Sequence, residues 1–206
     1  LSLSEALGPM TLPLLYLCRH GQTDWNAEER LQGQEEIGLN ALGRRQAQRN
    51  GQRLAELLEG RAGTLRFLAS PMLRTRQTME IIRSELGLDP LAYATDARLM
   101  ELHFGDWQGS TLEEIAAETP QAVADREAAK WDYVPPGATA ESYAMLAERA
   151  RPVFEALAEP TILVAHGGIV RAFLRLYGGL SAGEAAFLTI PQDQILKASE
   201  GSIAWV

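Results

Sequence analysis

The chain has 206 residues, 46% hydrophobic and 22% charged, a balance that excludes disorder, collagen-like repeats and low complexity. Its length favours one domain that buries on the order of 70% of its unfolded surface. A net charge of −8 without a Lys/Arg block argues against nucleic acid or an anionic membrane surface, the lone Cys18 cannot form an internal disulfide, and no apolar stretch approaches the roughly 18 residues of a membrane span.

Leu1–Pro9 carries Glu5 and no basic residue, and no small-residue cleavage site follows, so it does not read as a signal peptide. Residues 1–9 are expected to be a non-native remnant or a flexible N-terminus before Met10. One domain is expected over residues 10–206, and the cytoplasm is the default compartment.

Leu12–Cys18, Leu65–Ala69 and Thr161–Ala165 are short, nearly unbroken apolar runs that end in sharp polar turns, the pattern of buried strands. Tyr93–Thr95 is a weaker fourth. Between them, Ala41–Leu58 reads as a helix opened by Asn40 and closed at Gly60. Met72–Leu86 reads as a helix capped by Ser70 with Pro71 at its first position. Ser142–Leu157 and Ile169–Tyr177 complete the set. This alternation predicts an α/β fold, a three-layer α/β/α sandwich with a mostly parallel sheet. Ile195–Ala198 and Ile203–Val206, around a Glu200-Gly201 turn, predict an antiparallel edge. Glu101–Pro136, with helical pieces at Thr111–Glu118 and Ala122–Lys130, is expected to be a helical insertion over the active site.

Two of the three histidines, His20 and His166, stand at the ends of predicted strands, each followed by glycine. In an open α/β sheet, ligands bind outside the carboxyl ends of the strands. Arg19 flanks His20, and Arg74 lies one turn beyond Ser70-Pro71, near the same crevice. A single histidine at a strand end is usually a hydrogen-bonded structural residue. Two of them, with two arginines suited to planar recognition of phosphate or carboxylate, point to a small anion.

These residues carry a resemblance. Leu17-Cys18-Arg19-His20-Gly21-Gln22-Thr23-Asp24-Trp25-Asn26 resembles the Arg-His-Gly signature of the histidine phosphatase superfamily, which includes the phosphoglycerate mutases. Leu31-Gln32-Gly33 with Leu39, Gly43 and Gln46-Ala47 resembles the next segment of that family. Ser70-Pro71-Met72-Leu73-Arg74 with Gln77-Thr78 resembles its second arginine motif. Leu99-Met100-Glu101 with Phe104-Gly105-Asp106-Trp107-Gln108-Gly109 resembles its acid motif. Pro135-Pro136-Gly137 with Glu141-Ser142, then Val164-Ala165-His166-Gly167-Gly168, resemble the rest, in family order.

The resemblance implies metal-independent phosphoryl transfer, without an organic cofactor, through a phosphohistidine on His20, which requires a neutral imidazole. Arg19, Arg74 and His166 would hold the phosphoryl oxygens, and Glu101 would protonate the leaving oxygen and then activate water. Asn26, Thr23, Gln32, Gly33 and Gly167 are the further substrate-binding positions it implies. The implied partner is a small phosphorylated metabolite, not nucleic acid or membrane. Self-association as a homo-oligomer through an edge strand stays open.

Other readings are weaker. A metal triad on His20, His166 and a carboxylate lacks close ligand spacing, and the arginines would repel a cation. Gly179-Leu180-Ser181-Ala182-Gly183 has the form of a serine hydrolase elbow, but it follows a helix and no histidine lies downstream; it reads as one helix ending and the next beginning. His103 reads as solvent-facing or supporting, Cys18 as a core residue, and Trp25 and Trp107 as packing under the site.

Between mutase and phosphatase, the insertion decides. Leu102–Ala140 holds two basic residues, Arg126 and Lys130, and no adjacent Arg pair. The loop Glu28–Glu36 carries Glu28, Glu29, Glu35 and Glu36, so an acidic rim that repels a bisphosphate is expected. A phosphatase of small phosphomonoesters is favoured over a cofactor-dependent phosphoglycerate mutase. A non-catalytic phospho-ligand binding module is disfavoured because both histidines, both arginines and the acid are present.

Overall fold

The structure, a computed structural model, describes residues 12–199 and 201–206; the expectation for residues 1–9 and the Glu200 half of the predicted turn lie outside them. Six strands form one sheet in the order β3-β2-β4-β1-β5-β6: β1 Leu15–Arg19, β2 Arg66–Ala69, β3 Ala94–Thr95, β4 Thr161–Ala165, β5 Ile195–Ser199 and β6 Ser202–Trp205. The first four are mutually parallel, and β5 and β6 run antiparallel along one edge. β1 begins three residues later than its apolar run because Pro13, which lacks an N–H, cannot join a ladder.

The layers follow from the pleat. Leu15 and Leu17 face one core with Leu163, Leu146 and Phe173, while Tyr16 and Cys18 face the other with Leu54, Met79 and Ile82. Two helices, α2 (Ala41–Leu58) and α3 (Leu73–Glu85), cover the second face; α6 (Tyr143–Glu155) and α7 (Gly167–Tyr177) cover the first. Asn40 caps α2 as expected, its side chain accepting from Gly43 N at 2.9 Å. The sheet meets α2 through glycines: a Cβ on Gly21 would collide with the Gly43 carbonyl.

The expected cap of α3 is corrected. Its N-cap residue is Met72, Ser70 is committed elsewhere, and Glu36 Oε2 reaches across to accept from Leu73 N at 2.8 Å. Two short helices, α1 (Asp24–Ala27) and α8 (Ala182–Phe187), carry too few apolar residues to show a helical period in sequence. Ser181 caps α8 through a capping box, so the Gly-x-Ser-x-Gly string is a helix start.

The insertion carries a 3-10 turn at Gly105–Trp107, then α4 (Leu112–Glu118) and α5 (Pro120–Ala128). Trp107, Ile115 and Trp131 join the first core, with Trp107 stacked on Tyr133 and Trp131 on Tyr143. Trp25 is half-buried against Gly109. No helix among the described residues is long and apolar enough to cross a membrane.

Candidate active site

Three strands deliver polar residues at their carboxyl ends. The amide of His20 donates to Ala165 O and that of Ser70 to Val164 O, each at 3.0 Å, while His166 follows β4 directly as the N-cap of α7. This brings the His20 and His166 rings edge-to-face, with centroids 5.3 Å apart.

The tautomer of His20 is dictated by its neighbours. Nδ1 lies 2.8 Å from Gly21 O, which can only accept, so Nδ1 carries the proton. Nε2 lies 3.2 Å from Arg74 Nε, which can only donate, so Nε2 presents its lone pair. Burial, reinforced by the charges of Arg74 and Arg19 and opposed by the Gly21 bond, holds the ring well below its ordinary value of 6.5. It is therefore neutral at physiological pH.

Arg74 is buried, and its guanidinium is fixed by Nη1 to Glu35 O at 2.8 Å and Nη2 to Gly33 O at 2.7 Å. Arg19 donates through Nη1 to Ile190 O at 2.7 Å, and its buried Nε has no partner among the described residues. Each is pulled down to about 10, first by burial, so each stays charged near neutrality. His166 is completely buried, with Nε2 2.8 Å from Ser70 Oγ and Nδ1 without a partner among the described residues. Burial, with Arg74, His20, Arg19 and Arg149 around it, holds that ring well below 6.5 too.

Glu101 faces this group from the start of the insertion. Its Oε1 accepts from Leu102 N at 2.9 Å and Oε2 from Gly168 N at 3.1 Å. Glycine is required at 168, because a Cβ there would collide with Glu101 Oε1. Arg149 steadies the same strand of chain, donating to Arg98 O at 2.8 Å and Met100 O at 3.1 Å while paired with Glu141.

A cavity of about 210 Å³ lies over these groups, lined by Arg19, His20, Asn26, Gln32, Gly33, Arg74, Glu101 and Gly167 among the expected residues. Thr23 and His166 do not line it. Thr23 is buried and caps α1, donating through N and Oγ1 to Asn26 Oδ1. With Gln192 Nε2 also donating to that oxygen at 3.1 Å, the Asn26 amide is oriented to leave its NH2 free. His166 lies beside His20, its buried Nδ1 unpartnered among the described residues.

The glutamates of the expected acidic rim do not enter the cavity walls. Glu28 pairs with Arg30, Glu35 accepts from Gln108 and Glu36 caps α3; none of the four loop glutamates lines the cavity. The walls instead add Arg30, Arg126, Lys130 and Arg171, with Tyr143 and Phe104. Sequence reasoning also missed the 188–192 segment: Leu188 O takes Arg171 Nε, Ile190 O takes Arg19, and Gln192 Nε2 holds His20 O at 3.2 Å. His103 is half-buried, with Nδ1 accepting from Gly105 N. Among the described residues no three His, Cys, Asp or Glu side chains gather as a metal site would need.

The chain belongs to the histidine phosphatase superfamily (branch 1), whose family model matches residues 15–197. It is 38% identical over 172 residues to the glucosyl-3-phosphoglycerate phosphatase of Mycobacterium tuberculosis, covering 77% of this chain and 72% of that protein. It is 34% identical over 176 residues to the metal-independent phosphoserine phosphatase of Arabidopsis thaliana, 82% of this chain and 71% of that one. Phosphoglycerate mutase-like protein 4 of the same plant is 32% identical over 163 residues, 77% and 68% of the two chains. The solved structure of native mycobacterial glucosyl-3-phosphoglycerate phosphatase superimposes with a TM-score of 0.72 at 28% identity, over 94% of this chain and 96% of that one.

Proposed function

We propose that this protein is a phosphatase that hydrolyses small phosphomonoesters through a phosphohistidine on His20. The observation that carries the reading is the neutral His20 ring, its Nε2 lone pair directed at the guanidinium of Arg74 beside the Glu101 carboxyl. An incoming phosphoryl group takes over the Arg74 hydrogen bond, with its oxygens met by Arg19, Arg74, the Asn26 amide and His166 Nδ1. Nε2 attacks phosphorus, the ester P–O bond breaks, and the Glu101 carboxyl gives its proton to the leaving oxygen. The Glu101 carboxylate then takes a proton from water; the water oxygen attacks phosphorus, the N–P bond breaks and inorganic phosphate leaves. His20, Arg19, Arg74, His166 and Glu101 are thus the catalytic set, with Asn26, Gln32, Gly33 and Gly167 in contact with substrate and Thr23 positioning Asn26. No cofactor is needed for this sequence of steps.

The glucosyl-3-phosphoglycerate and phosphoserine phosphatases among the relatives support hydrolysis. One observation favours a second reading: the two basic residues of the insertion, Arg126 and Lys130, both face the cavity, as retention of a bisphosphate by a mutase requires. A phosphorus NMR time course on 3-phosphoglycerate, with and without catalytic 2,3-bisphosphoglycerate, separates the two. Inorganic phosphate as the product upholds the phosphatase, here or with other monoesters. 2-Phosphoglycerate formed only with the bisphosphate overturns it. Binding of monoesters without turnover of any would make the protein a non-catalytic binding module. The activity is assigned to one domain over residues 10–206 acting on a small metabolite. The buried, lone Cys18 and the absence of a membrane-crossing helix among the described residues fit a cytoplasmic setting.

A further inference from the structure

β5 runs antiparallel to β1, with Leu196 opposite Leu17 and Ile195 opposite Cys18. The residues that precede β5 therefore lie beyond the carboxyl end of β1, where His20 stands. An antiparallel edge thus brings its incoming end to the crevice that the parallel strands reach with their outgoing ends. Gln192 is half-buried there and does not line the cavity. Its main chain is tied to α2, where buried Asn50 donates through Nδ2 to Gln192 O at 3.1 Å.

Groups with no choice of role fix the orientation of two side-chain amides. His20 O can only accept, so the Gln192 atom 3.2 Å from it is Nε2. Thr23 N can only donate, so the Asn26 atom 3.1 Å from it is Oδ1. The other hydrogen of the Gln192 NH2 then goes to Asn26 Oδ1 at 3.1 Å. With both hydrogens spent, Gln192 Nε2 has no donor left for a ligand. Asn26 Oδ1 is held from two sides, and its NH2 is left for the cavity that Asn26 lines.

Thr23 alone cannot set where that NH2 lies relative to the nucleophile. Both residues belong to α1 and its cap, a four-residue helix with no fully buried residue, far shorter than the roughly 12–15 residues at which an isolated helix becomes marginal. Gln192 connects the Asn26 amide to the main chain of His20 through one rigid amide group. A donor held in this way meets the phosphoryl oxygens without reorganising.

We propose that Gln192 is a positioning residue, which locks the Asn26 amide with its NH2 toward the phosphoryl group and fixes it relative to the His20 main chain. Its effect on turnover rests on the phosphatase reading of His20; its effect on phosphate binding does not.

The test is a double-mutant cycle on wild type, Gln192→Leu, Asn26→Ala and the double variant. It reads kcat/KM on nitrophenyl phosphate, the inhibition constant of orthovanadate, and Tm. Gln192→Leu is expected to lower kcat/KM and weaken vanadate by about fivefold each, the scale of one hydrogen bond. In the Asn26→Ala background the same substitution changes both by less than about twofold. Gln192→Glu, which sets a carboxylate against His20 O and Asn26 Oδ1, costs more than Gln192→Leu. Unchanged kinetics in Gln192→Leu, whatever happens to Tm, overturns the proposal. So do losses that multiply in the double variant. Should Asn26→Ala fail to fold, the NMR signals of the Asn26 side-chain NH2 decide. A shift on adding vanadate that is lost in Gln192→Leu upholds the proposal, and one that persists unaltered overturns it. If wild type hydrolyses no ester, the phosphatase reading fails, and calorimetric titration of the four proteins with inorganic phosphate replaces the kinetics. Affinity weakened by Gln192→Leu only where Asn26 is present then upholds the positioning role, and equal affinities overturn it.

Discussion

Arg74 Nε donates to His20 Nε2 at 3.2 Å, so the atom with the lone pair is held by the group that would otherwise bind substrate. The two carbonyls of Gly33 and Glu35 keep the guanidinium in place and prevent it from swinging away when a phosphate arrives. A preorganised donor of this kind stabilises developing charge without reorganising at the moment of reaction.

Arg74→Ala is therefore expected to lower kcat by about 10²–10³, the range for loss of one such donor. Arg74→Lys recovers little, since an ammonium cannot serve two carbonyls and an imidazole in one plane. Steady-state kinetics on nitrophenyl phosphate, with acid-quench trapping of radiolabelled phosphoenzyme, measures both. His20→Ala should abolish phosphoenzyme and turnover together.

Both site histidines are held well below 6.5, and this sets a pH signature. The nucleophile of the free enzyme stays unprotonated below pH 6.5, so the acid limb of kcat/KM is expected below that value. Stability falls at a higher pH than activity does. Between the lowered folded values and 6.5 the unfolded chain binds protons that the folded chain refuses, so the free energy of unfolding falls as pH drops through 6.5. Chemical denaturation at a series of pH values, run beside the pH–rate profile, checks both. An acid limb at 6.5 or above contradicts the neutral, buried pair.

Glu101 is placed by Gly168, and the contact supplies its own test. Gly168 lies in the first turn of α7, where alanine is ordinarily no worse a helix former than glycine. At 168 the added methyl would meet Glu101 Oε1 and stand 2.7 Å from Leu146 Cδ2, an overpacking that costs about 1–3 kcal/mol. Gly168→Ala is expected to lower Tm and to slow alkyl phosphates more than nitrophenyl phosphate, whose leaving group needs no proton. Glu101→Gln should show the same leaving-group bias, with losses of about 10²–10⁴ for alkyl esters. Its NH2 would face one of the two backbone N–H groups from which the carboxylate accepts, so a modest fall in Tm is expected as well. Equal losses for both esters would remove Glu101 from the acid role.

The sequence pattern read the frame well where local chemistry alone sets it. Asn40 and the left-handed Glu59 with Gly60 bound α2 at the residues expected, and β4 matches its apolar run residue for residue. His20, Arg19, Arg74, Glu101 and Gly167 meet in one cavity because the carboxyl ends of parallel strands must face one crevice. What stayed hidden depends on direction, which composition does not record. The four loop glutamates count as an acidic rim on paper, yet each local backbone turns them onto Arg30, Gln108 or the start of α3 or leaves them outside the cavity. Arg126 lies on α5 and Lys130 two residues past its end, and Arg171 joins them only through the packing of α7. The Leu188, Ile190 and Gln192 contacts act through two carbonyls and one isolated amide, which leave no residue pattern to read.

Arg149 offers the last prediction, because it acts on Glu101 without touching the cavity. It forms a two-pronged pair with Glu141 at 2.8 Å on each nitrogen and caps the carbonyls of Arg98 and Met100, which lead directly into Glu101. Its side chain is 23% exposed and that of Glu141 16%, so this pair is worth more than the 0–1 kcal/mol of a surface ion pair. Removing Arg149 leaves the partly buried Glu141 carboxylate and Met100 carbonyl without this donor, at about 1–3 kcal/mol. Arg149→Ala is expected to lower Tm by about 4–8 °C, the equivalent of about 2 kcal/mol in a chain of this size. If the pair also positions the acid, kcat falls further for alkyl phosphates than for nitrophenyl phosphate, in the direction of Glu101→Gln. A lowered Tm with an unchanged ratio between the two esters would confine Arg149 to stability, leaving Gly168 N and Leu102 N sufficient to orient the carboxyl.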